Sequence, residues 1–288
     1  MIRTAKTREA RKAPAAARNP AAPAAAREAP AHDPLFNDSA QKALAVLEAF
    51  GKGRRVLKLA EAADLAGITK ASTQRCIHTL EVLGYLRRDR RSTGWMLTPR
   101  ALGIAHAYLA GYRLIEQATQ HLVDLNRATG ESVSLSEPDG TDMVFVARFP
   151  SHKRFLIHMP IGRRLPMYCT ASGRAYLSAL PATEALQLLR QSSLQVLTAT
   201  TITDAQRIQD LIAAAHVDGY ACSDQECYRG DVTVAAPVIG EGGHPIGAIN
   251  ISAPTSRWTL DDMRAKLAAL VMETARAVSS GAVPQAHG

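Results

Sequence analysis

Between residues 69 and 75, Thr69, Lys70, Ser72, Thr73, Gln74 and Arg75 all carry hydrogen-bonding side chains. Base edges in the major groove present matching donors and acceptors, Gln suiting adenine and Arg suiting guanine. Gln74 or Arg75 serves equally well as a phosphate contact, because most protein–DNA hydrogen bonds go to the backbone. A second basic group, Arg87, Arg88, Arg90 and Arg91, surrounds a turn-rich Ser92-Thr93-Gly94 stretch and suits phosphates or the minor groove. Any one of these residues is as well explained by a solvated helix face. The ordered set is harder to explain that way.

Other segments have the chemistry to hold a small anion. Cys169-Thr170-Ala171-Ser172-Gly173 opens a helical pattern. A helix N-terminus offers unpaired N–H groups and positive dipole character, and a glycine there lets a ligand approach the backbone. Tyr220, Cys222 and Asp224 alternate along a strand and share a face, as do Ala248, Asn250 and Ser252. Buried Asn250 and Ser252 need partners: a ligand, water or backbone. Arg163 and Arg164 are candidate partners of an acid or plain surface residues. Met143, Phe145, Met167 and Tyr168 are candidate walls or simple core. Cys222 with His216 or His244 invites a nucleophile reading, but no nucleophile elbow or His–carboxylate spacing supports it, so no catalytic residue is expected. No phosphate loop, dinucleotide fingerprint or HExxH points to a cofactor or metal.

The elements that must position these residues follow from periodicity. Ser39 reads as an N-cap for a helix with Ala43, Val46, Leu47 and Phe50 on one face. Leu59–Ala66 is a second short helix closed by Gly67. A third runs from Thr69 to Leu83, with an expected buried stripe of Cys76, Ile77, Leu80 and Leu83 and a partly buried His78. Two strands around the basic loop complete a winged helix-turn-helix from Ser39 to Arg100. A helix from about Arg100 to Leu114 leads to a second helical stretch ending at Gly130. Strands and helices then intermix, with strands at Ser132–Ser136, Asp142–Phe149, Phe155–His158, Tyr220–Glu226, Asp231–Ile239 and Pro245–Ser252, and helices including Thr170–Ala179 and Leu260–Ser280. That order implies a helix-covered sheet, an α/β (α+β) chain. The expected division is a disordered basic tail at 1–37, the winged helix at 38–98, a linker helix at 99–114 and an effector domain at 115–281.

Charge follows the same division. The chain of 288 residues carries a formal +8, split as +4 over residues 1–34, +6 over 35–112 and −2 over 113–288. A basic front on a mildly acidic back suits a polyanion-binding module joined to a different one. Thirteen Ala and five Pro in the first 34 residues leave that tail without apolar periodicity. Four scattered cysteines suit a reducing compartment rather than a disulfide framework. No apolar run reaches the roughly 18 residues of a membrane span, so the cytoplasm is the expected location.

The stretches SAQKALAVLEAF, LAEAADLAGITKASTQRCIHTLEVLGYLRRD and WMLTPRALGIAHAYL resemble the winged-helix half of IclR-type regulators. SLSEPDGTDMVFVARF, IGRRLPMYCTASGRAYL, GYACSDQECYRGDVTVAAPV and GAINISAPTSRW resemble that family's effector-binding half, and together the match covers roughly residues 38–280. The PMYCTASGRA and GDVTVAAPV motifs are most similar to the subgroup controlling aromatic-acid catabolism. The resemblance implies a GAF-like effector domain and a homodimer or dimer of dimers on palindromic operator DNA. It also implies a small organic, aromatic carboxylate effector and pocket positions at Ala171, Ser172, Gly173, Cys222, Asn250 and Ser252. A small-acid sensor whose winged helix contacts protein instead of DNA is the alternative.

Overall fold

The computed structural model describes residues 34–51, 55–153 and 159–281. Most of the expected tail (1–33) and the expected strand at Phe155–His158 lie outside those residues.

The N-terminal unit comprises α1 (Asp38–Ala49), α2 (Leu59–Ala66), α3 (Lys70–Val82) and the hairpin β1 (Leu86–Arg88) and β2 (Trp95–Leu97). Asn37, not Ser39, caps α1, accepting from the backbone N–H groups of Ser39 and Ala40. The amide oxygen reaches two orphan donors from outside the helix, whereas Ser39 is already inside it. Gly67 ends α2 at φ +68°, a conformation costly for a residue with a Cβ, and so sets the sharp turn into α3. Val46, Phe50, Leu57, Ile77, Leu80, Leu86 and Trp95 close one core. Each such side chain contributes roughly 1.5–3 kcal/mol through burial.

The stripe of α3 differs from expectation. Thr73, Ile77 and Leu80 are buried, while Cys76 is half-buried and Leu83 is 51% exposed. Residues at i, i+4 and i+7 share a helix face, and Thr73 satisfies its hydroxyl by donating to Thr69 O at 3.0 Å. His78 is exposed rather than partly buried.

The connecting helix is broken. α4 (Ala101–Ala110) stops at Gly111, and α5 (Arg113–Thr129) begins beyond Tyr112. The remaining elements are β3 (Ser132–Asp139), β4 (Asp142–Phe149), β5 (Arg164–Pro166), α6 (Ala171–Ala179), α7 (Ala182–Gln191), α8 (Ala205–Asp218), β6 (Ala221–Asp224), β7 (Asp231–Ile239), β8 (Pro245–Pro254) and α9 (Leu260–Gly281). The six strands form one antiparallel sheet in the order β5-β4-β3-β8-β7-β6.

Strand alternation divides the sheet's chemistry. Val133, Leu135, Val232, Val234, Ile249 and Ile251 face α5 and α9 in a dry core. The intervening residues face α6 and are unusually polar. Register places Arg148, Ser134 and Asn250 side by side across β4, β3 and β8. The next row is Ser132, Ser252, Thr233 and Ser223 across β3, β8, β7 and β6. A polar floor under a helix needs something to satisfy it.

Candidate DNA-binding face and effector cleft

The first turn of α3 uses part of its polar set internally. Thr69 caps the helix, its Oγ1 accepting from Ser72 N at 3.3 Å and donating to Ser72 Oγ at 3.1 Å. Thr73 is fully buried and is not available to DNA, a correction to the expected contact set. Lys70, Gln74 and Arg75 are exposed. With a helical step of about 100° per residue, Ala71, Arg75 and His78 lie opposite the Thr73–Ile77–Leu80 stripe. His78 therefore lies on the outward face, where the polar pattern of the helix puts it, and is exposed rather than partly buried.

The wing is braced from within. Arg88 stacks over the Trp95 ring at 4.2 Å and lies 3.9 Å from Glu81 Oε1, while Trp95 Nε1 donates to Glu81 Oε2 at 3.2 Å. Arg88 thus ties the hairpin to α3 while staying exposed, as are Arg87, Arg90 and Arg91, which make no such contact with α3. Asp89 organises the tip, accepting from Ser92 Oγ at 2.8 Å and Arg91 N at 3.3 Å. The Ser92 hydrogen bond, with backbone donors behind it, holds its carboxyl below the usual range.

A cleft of about 500 Å³, open mouth included, lies between the polar floor and the start of α6. Phe145, Met159, Leu165 and Tyr228 form its apolar walls, and Thr170, Ala171 and Ser172 its helix-entry side. Thr170 Oγ1 caps α6 by accepting from Gly173 N at 3.2 Å. The N–H groups of Ala171 and Ser172 have no acceptor among the described residues. The floor carries Arg148, Asp231, Asn250 and Ser252.

The electrostatics of the floor centre on Arg148. Its Nη1 donates to Ser134 Oγ at 3.0 Å, its guanidinium lies 5.7 Å from the Phe145 ring, and it makes no ion pair among the described residues. Burial lowers its pKa, partly offset by Asp231. Burial pushes the Asp231 carboxyl up to about 6, against hydrogen bonds from Ser252 Oγ (2.5 Å) and Thr233 Oγ1 (3.1 Å). Asn250 is 3% exposed, and its Oδ1 has no hydrogen-bond partner among the described residues.

The far wall is held by a buried ion pair. Arg174 donates to both carboxylate oxygens of Glu226 (2.5 and 2.6 Å) and to Tyr168 O (2.9 Å). It anchors α6 to the β6–β7 loop, where Gln225 adopts φ +57° and the chain carries Glu226, Cys227 and Tyr228 to the cleft.

Residues 39–90 match the family profile described as the IclR helix-turn-helix domain, and residues 106–280 match that of the bacterial transcriptional regulator IclR C-terminal region. The chain belongs to the IclR family. Among its relatives, the Pca regulon regulatory protein of Pseudomonas putida is 30% identical over 257 residues, covering 89% of this chain and 88% of the relative. The p-hydroxybenzoate hydroxylase transcriptional activator of Acinetobacter baylyi is 32% identical over 75% of this chain and 81% of its own. A solved transcriptional regulator from Rhodococcus sp. RHA1 superposes with a TM-score of 0.71 at 35% identity, covering 85% and 98% of the two chains.

IclR proteins are transcription regulators rather than enzymes, and Cys222 fits that. It faces α9 instead of the cleft, and burial pushes its thiol up to about 11, which removes it from the expected pocket set. His216 Nδ1 lies 2.7 Å from Ser178 O, so it is engaged there. Gly173 does not line the cleft. A Cβ there would fall 2.2 Å from Met167 Cα, so it is the site where α6 packs directly on the preceding turn. Ala171, Ser172, Asn250 and Ser252 do line the cleft. Arg163 donates to Tyr228 Oη at 2.9 Å and Arg164 to Asp142 at 3.1 Å, so both are engaged outside the floor. Of the expected apolar wall, Phe145 lines the cleft, Met143 and Met167 are core beneath α6, and Tyr168 packs with Cys169.

The residues missed at sequence level are Arg148, Asp231, Tyr228 and Cys227. An arginine inside the otherwise apolar strand pattern Met143–Phe149 is the available signal for the first. No helix among the described residues is long and apolar enough to cross a membrane.

Proposed function

We propose that this IclR-family regulator binds operator DNA through Lys70, Gln74, Arg75 and the exposed wing arginines, and that a small aromatic carboxylate in the cleft sets its DNA affinity. The observation that carries the effector reading is Arg148, a largely buried guanidinium that feels the Asp231 charge but has no carboxylate within ion-pair distance among the described residues, on a floor facing the α6 N-terminus. Charge and helix dipole both favour an anion there, and Phe145, Leu165 and Tyr228 suit a flat apolar body. The names of two relatives at 30% and 32% identity, tied to Pca and p-hydroxybenzoate regulation, support an aromatic acid.

The exposed apolar surface of α4 supports a homodimer or a dimer of dimers. The helix is apolar around its circumference, yet none of its residues is buried: Leu102 is 68% exposed and Ile104 59%. Such a helix is stable when another surface covers it. A second copy of this chain would cover it and place two α3 helices for two half-sites. DNA as partner puts the protein in the cytoplasm.

Thermal-shift screening of aromatic and short-chain acids against the wild type and Arg148→Met tests the effector site. A hit that stabilises the wild type and loses most of that effect in the variant is expected. A hit that stabilises both equally would place the anion elsewhere.

A further inference from the structure

Resting on the reading that the wing contacts DNA, we propose that Arg88, among its exposed arginines, serves that contact without touching DNA. With Glu81 and Trp95 it is a positioning residue that holds the wing tip in place for Arg90 and Arg91. Arg88 and Trp95 face each other across the hairpin as the last paired residues before the tip. Alternation puts both on the side of buried Leu86, and Arg87 on the opposite side.

Three contacts join this rung to the recognition helix. The Arg88 guanidinium lies 4.2 Å over the Trp95 ring, Arg88 Nε is 3.9 Å from Glu81 Oε1, and Trp95 Nε1 donates to Glu81 Oε2 at 3.2 Å. One carboxylate of α3 thus serves both strands of the hairpin.

The base of the wing is fixed by main chain. Leu57 and Trp95 exchange both backbone hydrogen bonds, at 3.0 and 2.9 Å, and a Cβ on Gly94 would fall 2.6 Å from Val56 Cγ1. The tip, by contrast, bonds within itself. Asp89 N donates to Gly94 O at 2.9 Å, and the Asp89 carboxylate accepts from Arg91 N and Ser92 Oγ. A tip organised in this way moves as a unit. The Arg88–Trp95 rung is where its direction relative to α3 is set.

A guanidinium committed to a ring face and a carboxylate is a poor phosphate ligand. Arginine holds phosphate through its N–H fork, often with two bonds at once, and Glu81 repels the same phosphate. What the brace supplies is order before binding. Ordering a loop on its partner costs affinity, and a tip already held in place avoids that cost.

The test is a mutant cycle on the full-length protein, read by fluorescence anisotropy on the gene's upstream intergenic DNA. Arg88→Gln is expected to weaken binding about threefold or more, the scale of an exposed cation–π contact with an ion pair. Once Arg90→Gln and Arg91→Gln have removed the tip's own contacts, the same change should cost less than about 1.5-fold. Arg88→Lys keeps a cation over the ring and should recover part of the loss. Glu81→Gln keeps an acceptor for Trp95 Nε1 but drops the charge that holds Arg88, and binding should weaken about twofold or more. Electrostatics alone predicts the reverse, because a negative charge beside DNA is removed. Thermal melts close to wild type show that each variant is folded.

A loss at Arg88 that is undiminished without Arg90 and Arg91 makes it a direct contact and overturns the proposal. No loss in either background, or tighter binding by Glu81→Gln, overturns it too. If the wild type shows no salt-sensitive, sequence-selective binding, the DNA reading falls and takes this one with it.

Discussion

Tyr108 Oη donates to Glu137 Oε2 at 2.5 Å, joining the linker helix α4 to strand β3 of the effector sheet. Tyr108 also stacks on Tyr112 at 5.6 Å, which packs against the effector core. Glu137 follows Ser134, the residue holding Arg148, by three positions on the same strand. A shift of β3 on effector binding would therefore be felt at α4 through one hydrogen bond. Burial raises the Glu137 carboxyl above its ordinary range, against the hydrogen bonds from Tyr108 and Tyr112.

Tyr108→Phe removes that bond and little else, because the ring and its stacking remain. Effector affinity and effector-free DNA affinity are expected to stay within about twofold, while the change in DNA affinity caused by the effector shrinks. Titrating both ligands separately and together measures this. Full coupling in the variant would show that the signal takes another route.

Arg75 and Thr73 make opposite predictions although they lie two residues apart. Arg75→Ala should cost about 1–3 kcal/mol in operator binding, relax sequence selectivity and leave folding intact. Thr73→Arg places a charge in the α1–α3 core and should destabilise the N-terminal unit by several kcal/mol. Gel shifts on specific and scrambled DNA, paired with thermal melts, separate the two. If Thr73→Arg folded normally and altered only binding, the assigned face of α3 would be wrong.

The Arg174–Glu226 pair is stabilising mainly in the sense that neither partner tolerates loss of the other. Arg174→Met leaves a buried carboxylate beside α6 and should cost about 3–5 kcal/mol. Adding Glu226→Leu should recover part of that cost, which a double-mutant cycle in urea measures. Strictly additive losses would contradict the pairing.

Asp231 makes stability depend on pH in an unusual direction. Its carboxyl ionises near 4 when unfolded but only at about 6 when folded, because burial disfavours the charge. The folded state therefore binds more protons between those values, and stability falls as pH rises through that window. Asp231→Asn should gain about 2–3 kcal/mol at pH 7 and only about 0.5 kcal/mol at pH 4. Urea midpoints at the two pH values test this, and an equal gain at both would rule out titration as the cause.

Legibility varied with how regular the local backbone is. The Gly67 turn, the polar start of α3 and the basic hairpin follow from spacing alone, and so does the shared face of Asn250 and Ser252 on β8. The polarity of Thr73 points it outward, but its helical spacing from Ile77 and Leu80 puts it inside. Arg148 was hidden by a register shift between β3 and β4 at Leu135/Ser136. Strict alternation would put residues 145 and 148 on opposite faces, but the irregularity brings Phe145 and Arg148 to the same cleft. The Tyr220–Cys222–Asp224 grouping was sound as a strand face, yet which side faced the ligand depended on helix packing far along the chain. Asp231 and Tyr228 reach the cleft at or before the start of β7, beyond the reach of pattern.

The central claim is that occupancy of the Arg148 cleft sets DNA affinity, and fluorescence anisotropy on the gene's upstream intergenic DNA tests it directly. With a saturating acid identified by thermal shift, wild-type DNA affinity is expected to change about fivefold or more, in the range of ordinary allosteric coupling. In Arg148→Met the same acid concentration should leave it unchanged. Wild-type DNA affinity that is indifferent to bound acid, or an undiminished response in Arg148→Met, would contradict the account.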